Sequence, residues 1–160
     1  MVEFTCPTPE DTLALGDALG HAARPGLTVL LQGPLGAGKT LLTKGIARGL
    51  GIPGWRYVTS PTFAIHNQYR GRLTLHHLDL YRLGDGGELE GVGVEEFLYG
   101  SDICVVEWPD SFFDELPSDP LLVRISGDAD GPRVVRFHGD GDTAAAVLVE
   151  MVAQFVIEGG

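Results

Sequence analysis

At 160 residues and 17.1 kDa the chain has the size of one ordinary domain, able to bury roughly 68 to 70% of its unfolded surface without staples. A hydrophobic share of 44%, a charged share of 21% and a mean hydropathy of +0.11 exclude the composition of a disordered chain. Only 11 Lys and Arg stand against 22 Asp and Glu, and the formal charge of −11 argues against a protein whose main business is gripping phosphate backbones.

Cys6 and Cys104 stand far apart with no CxxC, so neither a disulfide framework nor a zinc site is expected, and a reducing cytoplasm suits them. Glu3, Glu10 and Asp11 occupy the stretch where a signal peptide would be basic and then apolar, and no uncharged apolar run approaches about 18 residues. With no repeat, linker or composition break, the expectation is one cytoplasmic domain over residues 1–160 with no membrane span.

In chain order, Thr8, Pro9 and Asp11 predict a helix start: a hydroxyl cap, proline at the first helical position and an acid in the first turn. Leu15, Ala18, Leu19 and Ala22 continue it at helical spacing. After the turn at Pro25-Gly26, Leu27 to Gln32 is a short apolar run suited to a strand buried on both faces. A glycine-rich loop follows at once. Lys39 to Arg48 then places Leu42, Ile46 and Leu50 at helical spacing, interrupted only by Gly45.

Phe63 to Tyr69 and Arg72 to Leu80 are strand-like arms about Arg70-Gly71, which predicts an antiparallel hairpin. Val94 to Tyr99 suits a turn or two of helix, and Ile103 to Val106 is a second buried strand closed by Glu107. Leu121 to Ser126 and Arg133 to His138 flank a Gly-Asp-rich turn as a further hairpin. Thr143 opens an amphipathic C-terminal helix.

The loop Gly33-Pro34-Leu35-Gly36-Ala37-Gly38-Lys39-Thr40 satisfies GxxxxGK[ST] between a buried strand and a helix, the context that confirms a phosphate loop. Glycines let the backbone wrap closely and turn successive N–H groups toward phosphate, and the helix start adds partial positive charge. Lys39 is one of only two lysines and would bridge the outer phosphates, while Thr40 offers its hydroxyl to Mg²⁺.

Such a cation needs a carboxylate at the end of a neighbouring strand. Glu107, after Ile-Cys-Val-Val, and Asp79, after the Leu73, Leu75, His77 arm, both qualify. Glu107 is assigned to the metal shell and Asp79 to positioning of metal-bound or attacking water, and the two roles can be exchanged. Thr59-Ser60-Pro61-Thr62-Phe63 is either a γ-phosphate-sensing segment or a strand start with a proline turn. A strand sends His76 and His77 to opposite faces, so they cannot chelate one ion together and, with His66, read as structural or partner-facing. Trp108 reads as a core or rim aromatic.

Taken in order, GPLGAGKT, TSPTF at Thr59 to Phe63, HHLDLYRL at His76 to Leu83, GVGVEEFL at Gly91 to Leu98 and CVVEWPD at Cys104 to Asp110 resemble the TsaE (YjeE) family of bacterial ATPases. The resemblance runs from about the first helix to Asp110. It implies an α/β P-loop NTPase fold with a mixed, mainly parallel central sheet flanked by helices. It further implies a Mg²⁺-dependent, ATP- and ADP-binding ATPase that supports threonylcarbamoyladenosine modification of tRNA together with TsaD and TsaB. The implied nucleotide site is Gly33, Leu35, Gly36, Ala37, Gly38, Lys39, Thr40 and Leu41 with Ser60, Thr62, Asp79 and Glu107, and the adenine-contacting regions fall at Thr8 and Arg133. Pro34 stands where the family usually has an acid, and Leu41 where it has a second threonine.

Two other readings share the loop. A GTPase would carry an NKxD-type segment, which is missing. A small-molecule kinase would use an arginine-bearing lid, with only Arg56, Arg70, Arg72 and Arg82 between the Lys39 to Arg48 helix and Glu107. A nucleotide-gated binding module without useful turnover differs from a slow ATPase only in kinetics. No arginine is evidently placed to stabilise transition-state charge in cis, so a protein partner sensing Thr59 to Phe63 with Arg70, Arg72 and Arg82 is expected to complete the site, with tRNA reached only through that complex.

Overall fold

The computed structural model describes residues 1–34, 36–61, 66–80, 98, 100–108, 116, 119–127 and 130–159, and side chains of the last helix as far as Phe155. Its elements are β1 (Val2–Cys6), α1 (Pro9–Ala22), β2 (Thr28–Gln32), α2 (Lys39–Gly49), a 3₁₀ turn (Trp55–Tyr57), β3 (His66–Arg70), β4 (Thr74–Asp79), β5 (Ile103–Glu107), β6 (Leu121–Ser126), β7 (Arg133–His138) and α3 (Asp142–Gly159). One seven-stranded sheet runs β1-β7-β6-β2-β5-β4-β3. The four central strands β6, β2, β5 and β4 are mutually parallel, and the pairings outside them are antiparallel. This is the mixed, mainly parallel sheet that the motifs implied.

Local chemistry accounts for the elements. The Thr8 side chain accepts from Asp11 N while Asp11 Oδ2 accepts from Thr8 N at 2.9 Å, a reciprocal cap that starts α1 behind Pro9. Buried throughout, Val29, Leu30 and Leu31 give β2 no polar face, as a strand covered on both sides requires. The helices α1, α2 and α3 share one face of the sheet over a core that includes Leu15, Leu19, Leu42, Ile46, Val105, Phe137 and Met151. A smaller cluster of Leu30, Leu78, Leu80, Leu98, Cys104, Val106 and Leu116 covers the other face.

The Gly45 that reads as a flaw in α2 is a contact. Gly45 and Gly49 meet Gly16 and Gly20 of α1 so closely that a Cβ on Gly45 would lie 2.8 Å from the Gly16 Cα. Both predicted hairpins form, as β3–β4 and β6–β7, although residues 63–65 of the first arm lie outside the described residues. The helical turn predicted over residues 94–99 also lies outside them apart from the buried Leu98. The strand β1, paired with β7 and unanticipated from the N-terminal sequence, completes the sheet.

Candidate functional site

Three parallel strands deliver the site. The strand β2 ends in the glycine loop, β5 beside it ends in Glu107, and β4 beside that ends in Asp79, which pairs in register with Glu107. All three groups therefore lie at the carboxyl edge of the sheet, where open α/β sheets bind ligands. Gly36 (φ 78°) and Gly38 (φ 106°) take left-handed conformations that side chains resist, and Gly38 then caps α2. Leu35 lies outside the described residues.

Lys39, buried, is aimed back along the loop: its Nζ donates to Gly33 O at 2.6 Å and Pro34 O at 3.1 Å. Burial pushes its pKa down, and the charges of Glu107 and Asp79 oppose that. The Trp108 ring lies over the same Nζ, 4.2 Å from centroid to nitrogen, a cation–π contact. To reach it Trp108 adopts φ 59°, the only positive φ of a non-glycine among the described residues. Strain of this kind at a site is commonly held by surrounding structure.

From the loop a chain of oxygens crosses to β5. Thr40 Oγ1 and Ser60 Oγ are 2.8 Å apart, and Ser60 donates to Glu107 Oε2 at 2.8 Å. His77 Nε2 is 2.7 Å from the same oxygen. Since the carboxylate can only accept, the proton sits on Nε2. His77 is 0% exposed and its Nδ1 has no partner among the described residues. Burial pushes the Glu107 carboxyl up; the His77 hydrogen bond and charge, the Ser60 hydrogen bond and Lys39 together outweigh it and hold the group below its ordinary value.

The structure thus brings Lys39, Thr40, Ser60, Asp79 and Glu107 into one place, while Thr62 lies outside the described residues. Among the described residues no group of three or more His, Cys, Asp or Glu can hold a metal by itself. The hard oxygens of Thr40, Ser60 and Glu107 fit Mg²⁺, which keeps few protein ligands and completes its shell with phosphate oxygens and water.

A second feature adjoins the loop. Pro7, Thr8, Thr12, Gly38, Leu41 and Arg133 are among the residues lining a cavity of about 300 Å³. The Thr8 hydroxyl is committed to its cap, 2.7 Å from Asp11 Oδ2. Arg133 clamps the loop, donating to Ala37 O at 2.9 Å and Gly36 O at 3.0 Å. That clamp and the contacts of Trp108 and His77 were not read from the sequence. For His77 a signal existed, because period-two alternation puts it on the face of Asp79, one strand from Glu107.

His66 and His76 do something else: His66 Nε2 is 2.8 Å from His76 Nδ1, and His76 Nε2 is 2.7 Å from Asp102 Oδ2 on the opposite side of the strand from His77. Those rings bond to one another and to Asp102, whereas His77 belongs with Glu107 at the carboxyl edge of the sheet.

Parallel strands carrying a phosphate loop and an adjacent carboxylate at their carboxyl ends place the chain in the P-loop NTPase-like class. A family model described as threonylcarbamoyl adenosine biosynthesis protein TsaE matches residues 6–135. The chain is 42% identical over 144 residues to the tRNA threonylcarbamoyladenosine biosynthesis protein TsaE of Bacillus subtilis, covering 89% of each chain. It is 41% identical to the protein of that name from Treponema pallidum over 79% of this chain and 92% of the relative. The crystal structure of YdiB from Bacillus subtilis superposes with a TM-score of 0.77 at 31% identity, covering 96% of this chain and 95% of that one. The chain belongs to the TsaE family, which is named for tRNA threonylcarbamoyladenosine biosynthesis.

Proposed function

We propose that the protein binds ATP with Mg²⁺ and hydrolyses it slowly to ADP and phosphate, in support of threonylcarbamoyladenosine modification of tRNA with TsaD and TsaB, in the cytoplasm. The observation that carries this reading is the continuous oxygen chain Thr40–Ser60–Glu107 beside the loop lysine. Lys39 exchanges its loop carbonyls for the outer phosphates; Thr40 and Glu107, with the phosphates, hold the cation; Asp79 orients water. Mg²⁺, when bound, supplies charge neutralisation at the phosphates. The cavity at Thr8, Leu41 and Arg133 takes the base and ribose, its size being at the low end for a ligand pocket.

Slow turnover follows from the arginines. Among the described residues Arg133 lies against the loop, and its guanidinium is spent on the carbonyls of Gly36 and Ala37 in the loop and of Gly131 before β7. Among the described residues transition-state charge then lacks a free guanidinium in cis, and a partner completes the site. No helix among the described residues is long and apolar enough to cross a membrane.

The test is calorimetry of Lys39→Ala, Asp79→Ala and Glu107→Ala with ATP, with and without Mg²⁺, beside phosphate release with and without TsaD and TsaB. Lys39→Ala should lose ATP binding while staying folded, and Glu107→Ala should lose more of the Mg²⁺-dependent affinity than Asp79→Ala. Unchanged affinity in Lys39→Ala sinks the site assignment. Fast turnover alone, indifferent to TsaD and TsaB, favours a small-molecule kinase.

A further inference from the structure

The chain's charge is segregated. From Ala18 to Leu78 there is no Asp or Glu, yet that segment holds Arg24, Lys39, Lys44, Arg48, Arg56, Arg70 and Arg72, seven of the 11 basic residues. All 22 acids lie outside it.

The fold gathers much of this segment at one corner. The β3–β4 turn is tied to the end of α2 by Arg72 N donating to Leu50 O at 2.7 Å. The 3₁₀ turn starts a few residues later and puts the Trp55 ring between two guanidiniums, Arg48 at 5.3 Å and Arg56 at 4.5 Å. Asn67 on β3 reaches Thr59 O at 3.5 Å, joining the same corner to the residue before Ser60.

Its exposed members include Arg56, Tyr57 and Arg70; Arg72 is exposed too, but its guanidinium donates to the carbonyls of Gly20, His21 and Ala23. Arg48 is neutralised by Asp17 at 2.8 Å, whereas neither Arg56 nor Arg70 has an ion pair among the described residues. Tyr57 is 84% exposed, one of three large exposed hydrophobics among the described residues. A lone exposed tyrosine would mean nothing. Here it adjoins an arginine whose side chain is already settled on an indole, and Tyr, Trp and Arg are the side chains that dominate binding energy at interfaces.

We propose that Arg56, Tyr57 and Arg70 form the docking surface for a protein partner that presents an acidic patch, and that this contact is coupled to the nucleotide site through Thr59 and Ser60. The inference rests on the reading that a protein partner completes the ATPase cycle. RNA is the less favoured polyanion because its phosphates continue past a small patch into the field of 22 acids. An acidic patch on a folded protein can match the corner in size. Opposite charge then sets orientation and on-rate, and Tyr57 supplies the buried anchor. Movement at Thr59 reaches Glu107 through Ser60, giving the partner a direct line to the Mg²⁺-binding oxygens.

The experiment measures binding of the full chain to an immobilised TsaD–TsaB complex, at low and at physiological salt. It uses wild type, Arg56→Glu/Arg70→Glu, Tyr57→Ala and, as a control on another face, Arg124→Glu. The double reversal should raise Kd at least tenfold and flatten its salt dependence, and Tyr57→Ala should raise Kd severalfold mainly through dissociation rate. The control should match wild type, and the ATP affinity of every variant measured without partner should be unchanged. Wild-type binding that survives the double reversal overturns this surface alone and leaves the proposed function standing. No binding by wild type overturns both, and tRNA binding lost in the double reversal overturns the choice of a protein partner.

Discussion

Replacing His77 by leucine isolates the environment of Glu107. In the native protein the His77 N–H is a charge-assisted donor to a nearly inaccessible carboxylate, worth about 1.5 to 3 kcal/mol. Leucine removes that donor and leaves a buried charge with Ser60 and Lys39 as its support; it also removes the unpartnered Nδ1, which returns about 1 kcal/mol. The net loss at neutral pH is then about 1 to 3 kcal/mol, adding the smaller residual imbalance of the buried charge.

Its pH dependence is the sharper readout. The native Glu107 carboxyl is held below its ordinary value, so its stabilisation is complete above the unfolded pKa of about 4.3 and is lost as pH falls through the lower folded value. In His77→Leu burial, the largest influence, meets weaker opposition. The folded carboxyl then lies above its unfolded value, and the sign inverts: ionisation costs stability at neutral pH, and protonation relieves that cost on acidification. Urea unfolding in EDTA at pH 7 and pH 4 should show the variant's deficit shrinking by about 1 kcal/mol or more toward acid, with His77→Gln, which keeps a donor, intermediate. An equal deficit at both pH values would refute the account of Glu107.

Gly45→Ala should lower the unfolding free energy by about 1 to 3 kcal/mol, seen as a lower urea midpoint at unchanged slope, because the new methyl meets backbone of α1 that has no room to yield. Gly51→Ala, with open space around its Cβ and a φ of 72°, should cost only about 1 kcal/mol, and parity between the two would contradict the close helix contact. Trp108→Gly should relieve left-handed strain of about 1 kcal/mol while uncovering Lys39, so stability stays within about 1 kcal/mol of wild type. Steady-state phosphate release should nevertheless fall roughly tenfold, and unchanged release would make Trp108 a packing residue.

The parts of the fold legible in the sequence are those whose signal is local. Thr8-Pro9 with Asp11 starts a helix by hydrogen bonds within one turn, and Ile103 to Val106 is apolar at every position because both faces are covered. The strand β1 escaped because its alternation is shallow: only Cys6 is fully buried, and β7, more than 120 residues away, defines the strand. The same division runs through the site. The loop, Thr40, Asp79 and Glu107 carry their chemistry in their identities, whereas Trp108 and His77 are common core types whose importance comes from a backbone angle and from a neighbour on the next strand.

Charge illustrates why totals mislead. A sum of −11 argues against anionic partners only if the charge is spread evenly, and here the acids stop at Asp17 and resume at Asp79. Between them lie the glycine loop, α2, the arginine-flanked Trp55 and the β3–β4 hairpin, so the segment proposed to face phosphates carries no carboxylate of its own. At physiological salt screening acts over about 8 Å, so an approaching group senses the residues of the corner far more than the distant total. Placement, with Glu107 and Asp79 the acids beside Lys39, is therefore compatible with the proposed binding of a polyphosphate at one edge of the sheet of a chain that is strongly acidic overall.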